Sequence, residues 1–266
     1  MRLVARTCLT LILASCLAAR VNAQSEAVRV AAAADLKFAM GALAASFEKQ
    51  TGTKVDVTYG SSGNFFSQLQ NGAPFDLFFS ADIEYPRKLE AAGLGEAGTL
   101  YEYAIGRIVI WTTADSKLDV SKQGWKTLLD ARVEKIAIAN PEHAPYGRAA
   151  IAALQRAGIY EQVKAKLVYG ENISQAAQFV QSGNAQAGIL ALSLAICPPM
   201  KDGKSWDIPA EMHPPIEQGA LILKDAKNKN AARAFLEFVR SREGRAILEK
   251  YGFVTREPIN RSASPS

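Results

Sequence analysis

Two serines stand between two glycines at Gly60-Ser61-Ser62-Gly63. The alternating run Val55-Asp56-Val57-Thr58-Tyr59 before them reads as a strand. Asn64-Phe65-Phe66-Ser67-Gln68-Leu69 after them reads as the start of a helix. The first N–H groups of a helix have no intrahelical partner, and the helix dipole favours negative charge there. Serine hydroxyls add neutral donors, and glycines let the backbone approach closely. The chemistry such a turn can do is to hold an anion. Read alone, it is equally an ordinary serine cap between turn glycines. Ala34-Asp35, Tyr146-Gly147 and Asn172-Ile173 are three more junctions of the same kind. In open α/β sheets, ligands bind beyond the carboxyl ends of the strands. Four such junctions facing one another across a cleft would aim their N–H groups inward.

Catalytic constellations are missing. The two histidines, His143 and His213, show no H-E-x-x-H or Cys/His spacing. Gly60-Ser61-Ser62-Gly63 is one residue short of a G-x-S-x-G elbow, and there is no phosphate-cradling or dinucleotide-binding glycine motif. Asp76 and Asp82 read as strand-end and capping residues. The chain therefore reads as a binding protein, not an enzyme, with no resident cofactor.

The elements that must position these junctions follow from periodicity. Val28 to Ala33 reads as a buried strand, with Asp35 as the cap of a helix carrying Leu36, Met40, Leu43 and Phe47. Phe75 to Ser80 is a third strand, followed by a helix with Tyr85 and Leu89. This strand–helix alternation predicts a parallel, doubly wound sheet. Tyr103 to Trp111 reads as one long strand with Gly106 inside it, either crossing between two lobes or bulged within a core. Lys135 to Ala139, Ala165 to Tyr169 and Ala187 to Ala191 are strands of a second set. The loop Asn140 to Gly147 and the turn at Asn172 lead into that set's helices. Ile216 to Leu223 is the last strand and a return crossing. The expected division is 24–106 with 216–258 as one discontinuous lobe and 107–215 as the other. Residues 259–266 are expected to form a flexible tail.

Met1 to Ala23 has the order of a secretory leader: Arg2 and Arg6, an uncharged apolar run Thr7 to Ala19, and Val21-Asn22-Ala23 as the cleavage site. The run is too short to span a bilayer. Leu13-Ala14-Ser15-Cys16 offers a rival route, a lipid-anchored Cys16. Removing the leader takes the net charge from +5 to +2. That leaves no basic stripe for nucleic acid. Cys197 is then the single cysteine, so no disulfide framework exists. With 266 residues, 48% of them hydrophobic, the chain can bury one large or two medium domains.

The runs AAAADLKFAM, GSSG, NGAPFDLFFSAD, YAIGRIVIW, NPEHAPYG and EKYGF, in this order, resemble the periplasmic molybdate-binding proteins, the ModA family. The resemblance covers nearly the whole mature chain. It implies an α/β fold of two doubly wound lobes joined by two crossing strands, the type II periplasmic-binding architecture. It also implies capture of molybdate or tungstate and delivery to a membrane ABC permease by a periplasmic monomer. Carried over position by position, the oxyanion would meet the hydroxyl and N–H of Ser62 beside Ser61. It would also meet the N–H groups of Tyr146 and Ile173 and the turn at Ala34 and Asp35. A tyrosine that some members use falls at Ala191 here, so that donor is missing. Many members have Ser or Asn where this chain has Asp35. Either the Asp35 side chain caps its helix and only its N–H faces the ligand, or its carboxylate accepts a proton from a protonated oxyanion. The second reading favours monohydrogen phosphate over molybdate or sulfate and keeps phosphate open as the ligand; a receptor for another oxyanion such as phosphate or sulfate is the alternative function. Arg148 reads as a solvated helix residue or an electrostatic guide. Hinge closure on binding is expected.

Overall fold

The computed structural model describes residues 27–255. The leader, Cys16 and the 259–266 tail lie outside the described residues. Among the described residues, ten strands form two five-stranded sheets. The first sheet contains β1 (Val28–Ala33), β2 (Val55–Gly60), β3 (Leu77–Ser80), β4 (Tyr101–Gly106) and the late strand β10 (Ile216–Ile222), in the order β2-β1-β3-β10-β4. The second contains β5 (Ile108–Thr112), β6 (Ile136–Ala139), β7 (Leu167–Gly170), β8 (Ala187–Ala191) and β9 (Lys204–Asp207), in the order β7-β6-β8-β5-β9.

The strand–helix alternation gives parallel pairing within β2-β1-β3 and within β7-β6-β8, as the periodicity predicts. In each sheet one strand runs against the others, β10 between β3 and β4 and β5 between β8 and β9, so both sheets are mixed. Successive residues of β1 serve opposite faces. Val28, Val30 and Ala32 pack with Leu43, Phe47 and Phe235, while Ala31 packs with Phe65, Leu69 and Leu89. That period of two buries helices on both sides of the sheet. Each large apolar side chain so buried contributes about 1.5–3 kcal/mol.

The run Tyr103 to Trp111 is not one strand. It breaks at Arg107, where β4 of the first sheet hands over to β5 of the second. The chain returns through residues 208–215 and re-enters the first sheet at Ile216, which pairs with Gly106. The two lobes therefore meet where both connections lie side by side. Ala33, Ala34 and Ala81 of the first lobe pack into the core of the second. Small side chains at the carboxyl ends of β1 and β3 let the lobes come that close. Among the described residues, no helix is long and apolar enough to cross a membrane.

Candidate functional site

All six residues singled out in the sequence line one small, narrow cleft between the lobes. Ala34, Asp35, Ser61 and Ser62 approach from the first lobe, Tyr146 and Ile173 from the second.

The Ser62–Gln70 helix starts directly after β2. Its cap is Ser61, whose Oγ accepts the Asn64 N–H at 3.4 Å and is hydrogen-bonded to His143 Nδ1 at 2.9 Å. Ser62 is fully buried, and its Oγ accepts the Ala81 N–H at 2.9 Å. That leaves the Ser62 O–H to donate, beside an N–H at the first helical position. The Pro145–Arg156 helix begins with a proline, which has no N–H, so Tyr146 offers the first one. In the Ile173–Gln181 helix, the Asn172 side chain accepts the N–H groups of Ser174 and Gln175 at 3.0 and 3.1 Å. The cap thus leaves Ile173's own N–H unspent. After β1, Ala34–Leu36 forms a single 3-10 turn before the Lys37–Thr51 helix. Ser174 Oγ donates to Ala34 O at 3.0 Å and Ser193 Oγ to Asp35 O at 2.8 Å, so two hydroxyls of the second lobe hold this turn.

Asp35 does not cap the helix; its side chain makes no cap bond. Its Oδ2 instead accepts Tyr146 O–H at 2.9 Å and Gln218 Nε2–H at 2.8 Å. Two strong long-range donors win over a local cap. Burial pushes the Asp35 carboxyl up to about 6, against the opposing pull of Gln218 and Tyr146. Burial, then the neighbouring Asp35 charge, holds the Tyr146 phenol well above its ordinary value.

Gln218 is the residue that sequence reasoning missed. It also takes Tyr103 O–H on its Oε1 at 2.6 Å and donates to Tyr146 Oη at 3.0 Å. The register between β10 and β4 slips between Gln218 and Gly219, opposite Tyr103. Such a bulge re-aims a side chain. A β-carbon on Gly106 would sit 2.3 Å from Tyr146 Oη and 2.7 Å from Gln218 Nε2, so only glycine leaves room for this network. The signal available in the sequence was a polar pair, Glu217-Gln218, beside a glycine in a strand whose other residues are apolar.

Contacts across the cleft surround the cavity. Gly63 N–H donates to His143 O at 2.9 Å. Asn64 donates to Glu171. Arg148 lies on the Pro145–Arg156 helix with a partly exposed side chain, which pairs with Asp82 at 2.5 Å and reaches Tyr85 Oη at 3.3 Å. That pair lines a separate groove, and among the described residues no lysine or arginine lines the cavity itself. Asp76 is structural, with Oδ2 accepting the Arg29 N–H and Oδ1 the Lys227 N–H. Asp82 Oδ1 accepts the Glu84 N–H at 2.9 Å, as expected of a helix-start residue. Cys197 is buried, and burial raises its thiol to about 11. Among the described residues, no histidine, cysteine and carboxylate cluster suits a metal ion.

Residues 28–254 match the family described as bacterial extracellular solute-binding protein. The molybdate-binding protein ModA of Azotobacter vinelandii is 40% identical over 236 residues, covering 87% of this chain and 91% of the relative. The chain belongs to the ModA family. ModA of Rhodobacter capsulatus is likewise 40% identical, over 213 residues that cover 80% of this chain and 82% of the relative. The solved periplasmic molybdate-binding protein of A. vinelandii superposes with a TM-score of 0.81 at 34% identity, covering 86% of this chain and 99% of that one. The two-lobed α/β architecture is thus the family's own, and the family is one of solute-binding proteins rather than enzymes.

Proposed function

We propose that this chain captures molybdate, or the nearly isosteric tungstate, between its lobes and delivers it to a membrane ABC permease. The observation that carries the reading is a buried cavity whose donors are neutral and come from both lobes. The family's molybdate-binding relatives support it. The anion's oxygens, not its metal, meet the protein: the Ser62 O–H and N–H, the N–H groups of Tyr146 and Ile173, and the turn at Ala34 and Asp35. Ser61 orders this shell through its cap and its bond to His143. Hydrogen bonds to a charged group contribute about 1.5–3 kcal/mol each, so five give roughly 8–15 kcal/mol before association costs. Micromolar affinity needs about 8 kcal/mol. No counter-charge is required.

The lobes are 24–106 with 216–258, and 107–215, and they close about the paired connections when the anion enters. The protein works as a periplasmic monomer after cleavage behind Ala23. One observation favours a second ligand. An ionised Asp35 would repel a dianion, whereas monohydrogen phosphate brings a proton to it. Calorimetric competition among molybdate, tungstate, sulfate and phosphate at one pH tests the choice. Tight binding of molybdate and tungstate with weak sulfate and phosphate is the expected result. Tight binding of phosphate alone overturns it.

A further inference from the structure

Asp35 is 1% exposed and lines the cavity, yet its two oxygens are in different situations. Oδ2 is occupied by Tyr146 and Gln218. Gln218 cannot turn its amide around, because its Oε1 is held by the Tyr103 O–H. Oδ1 is buried without a hydrogen-bond partner. The backbone N–H groups of Asp35 and Leu36 exert a weaker pull on the carboxyl, and the other elements packed around it give it no further side-chain donor. The Ile173–Gln181 and Leu192–Ala195 helices spend their serine hydroxyls on the carbonyls of Ala34 and Asp35. The titratable groups facing it are Tyr103 from β4 and Tyr146 from the Pro145–Arg156 helix, and both stay protonated. Among the described residues, no lysine, arginine or histidine pairs with it.

A carboxylate oxygen and an oxyanion oxygen are both acceptors, and they repel unless a hydrogen lies between them. Resting on the oxyanion reading above, we propose that Asp35 Oδ1 and one oxygen of the bound anion share a single hydrogen. Capture of a fully deprotonated oxyanion such as molybdate then takes up one proton from solvent, while an anion that carries its own proton takes up none. The proton ends on the Oδ1–anion contact, and nothing is released. Asp35 is thereby a specificity residue as well as a liner. Burial has already brought its carboxyl to about 6 without a ligand, and a dianion beside it raises it further. Below that pH the hydrogen is in place. Above it, the dissociation constant for molybdate rises about tenfold per pH unit, as one linked proton requires.

The test is calorimetric titration of the full chain with sodium molybdate at several pH values between about 6 and 9, in buffers of different ionisation enthalpy. The expected result is uptake approaching one proton per molybdate at the alkaline end, with affinity weakening about tenfold per unit. The Asp35→Asn variant, whose amide N–H stands where the shared hydrogen would, is expected to bind with no pH slope. Molybdate binding by the unaltered protein with a flat pH profile and no proton uptake overturns the shared hydrogen alone and leaves the oxyanion reading standing. A pH slope that persists in Asp35→Asn also overturns it, by placing the linked group elsewhere. If none of molybdate, tungstate, sulfate and phosphate binds at any pH, the oxyanion reading itself fails and this proposal goes with it.

Discussion

Gly63 offers a way to block closure without touching the anion. It is the second residue of the Ser62–Gln70 helix, and its N–H bonds to His143 O of the opposite lobe. A β-carbon there would lie 2.7 Å from that oxygen and 2.9 Å from His143 Cα and Cβ. Two of these three atoms are backbone, so no rotamer change relieves the clash. Within its own helix, alanine is favoured over glycine by about 1 kcal/mol. The strain of Gly63→Ala therefore falls on the meeting of the lobes rather than on the folding of either. Overpacking costs about 1–3 kcal/mol and the weakened N–H···O bond about 0.5–1.5 kcal/mol. Together they disfavour the closed arrangement by roughly 2–4 kcal/mol, which is a loss of about 30- to 1,000-fold in affinity. Calorimetry with molybdate reads the affinity, thermal unfolding of the ligand-free protein reads the fold, and small-angle scattering reads closure. Weaker binding, an unchanged or raised melting temperature and a smaller contraction on saturation are expected. An affinity within about threefold of the unaltered protein would refute the reasoning. So would a stability loss as large as the binding loss.

Ser62→Ala removes a donor to the anion and strands the Ala81 N–H, so affinity should fall about 10- to 150-fold and stability by about 1–3 kcal/mol; unchanged calorimetric affinity would remove Ser62 from the site. Arg148→Ala breaks a partly exposed ion pair outside the cavity, worth under about 1 kcal/mol, so the dissociation constant should move less than about fivefold. A loss beyond about twentyfold on titration would make Arg148 a counter-charge instead. Asp35 should also mark the stability of the ligand-free protein. Its carboxyl is at 3.8 when unperturbed and about 6 when folded, so between these values the folded state keeps a proton that the unfolded chain has lost. Stability from this group is full below the lower value, falls as pH rises through the window and levels off above about 6. Asp35→Asn lacks this loss, so its denaturant-derived advantage over the unaltered chain should grow by about 3 kcal/mol from acid to neutral pH; a constant difference would contradict the burial argument.

What the sequence made legible was local. The four strand-to-helix junctions show as a change of period beside small or capping residues, and all four reach one cavity. The division of Tyr103 to Trp111 between two sheets showed only as one of two readings, the other being a bulged core strand. Both halves are apolar, and period alone does not reveal that a strand changes partners at Arg107. Asp35 was misread because its capping preference is a nearest-neighbour property. Its actual donors lie 111 and 183 residues away in the chain. The partner of Arg148 was out of local view for the same reason, since Asp82 is 66 residues away. Gln218 follows Glu217, and alternation cannot say which of two adjacent polar residues faces inward until the bulge at Gly219 is seen.

These misreadings fall where the lobes meet, and that has a consequence for selectivity. A cage of neutral donors distinguishes molybdate from sulfate only by size, because both anions arrive fully deprotonated and both need the same hydrogen at Asp35. A shared hydrogen distinguishes either of them from phosphate by pH, because phosphate near neutrality carries its own. The two filters are physically independent: cavity dimensions do not titrate, and the proton does not measure radius. The ratio of molybdate to sulfate affinity should therefore stay constant from pH 6 to 9, while both fall together against phosphate. A single buried carboxyl, that of Asp35, can thus change which anion wins at a given pH without altering the shape of the cage.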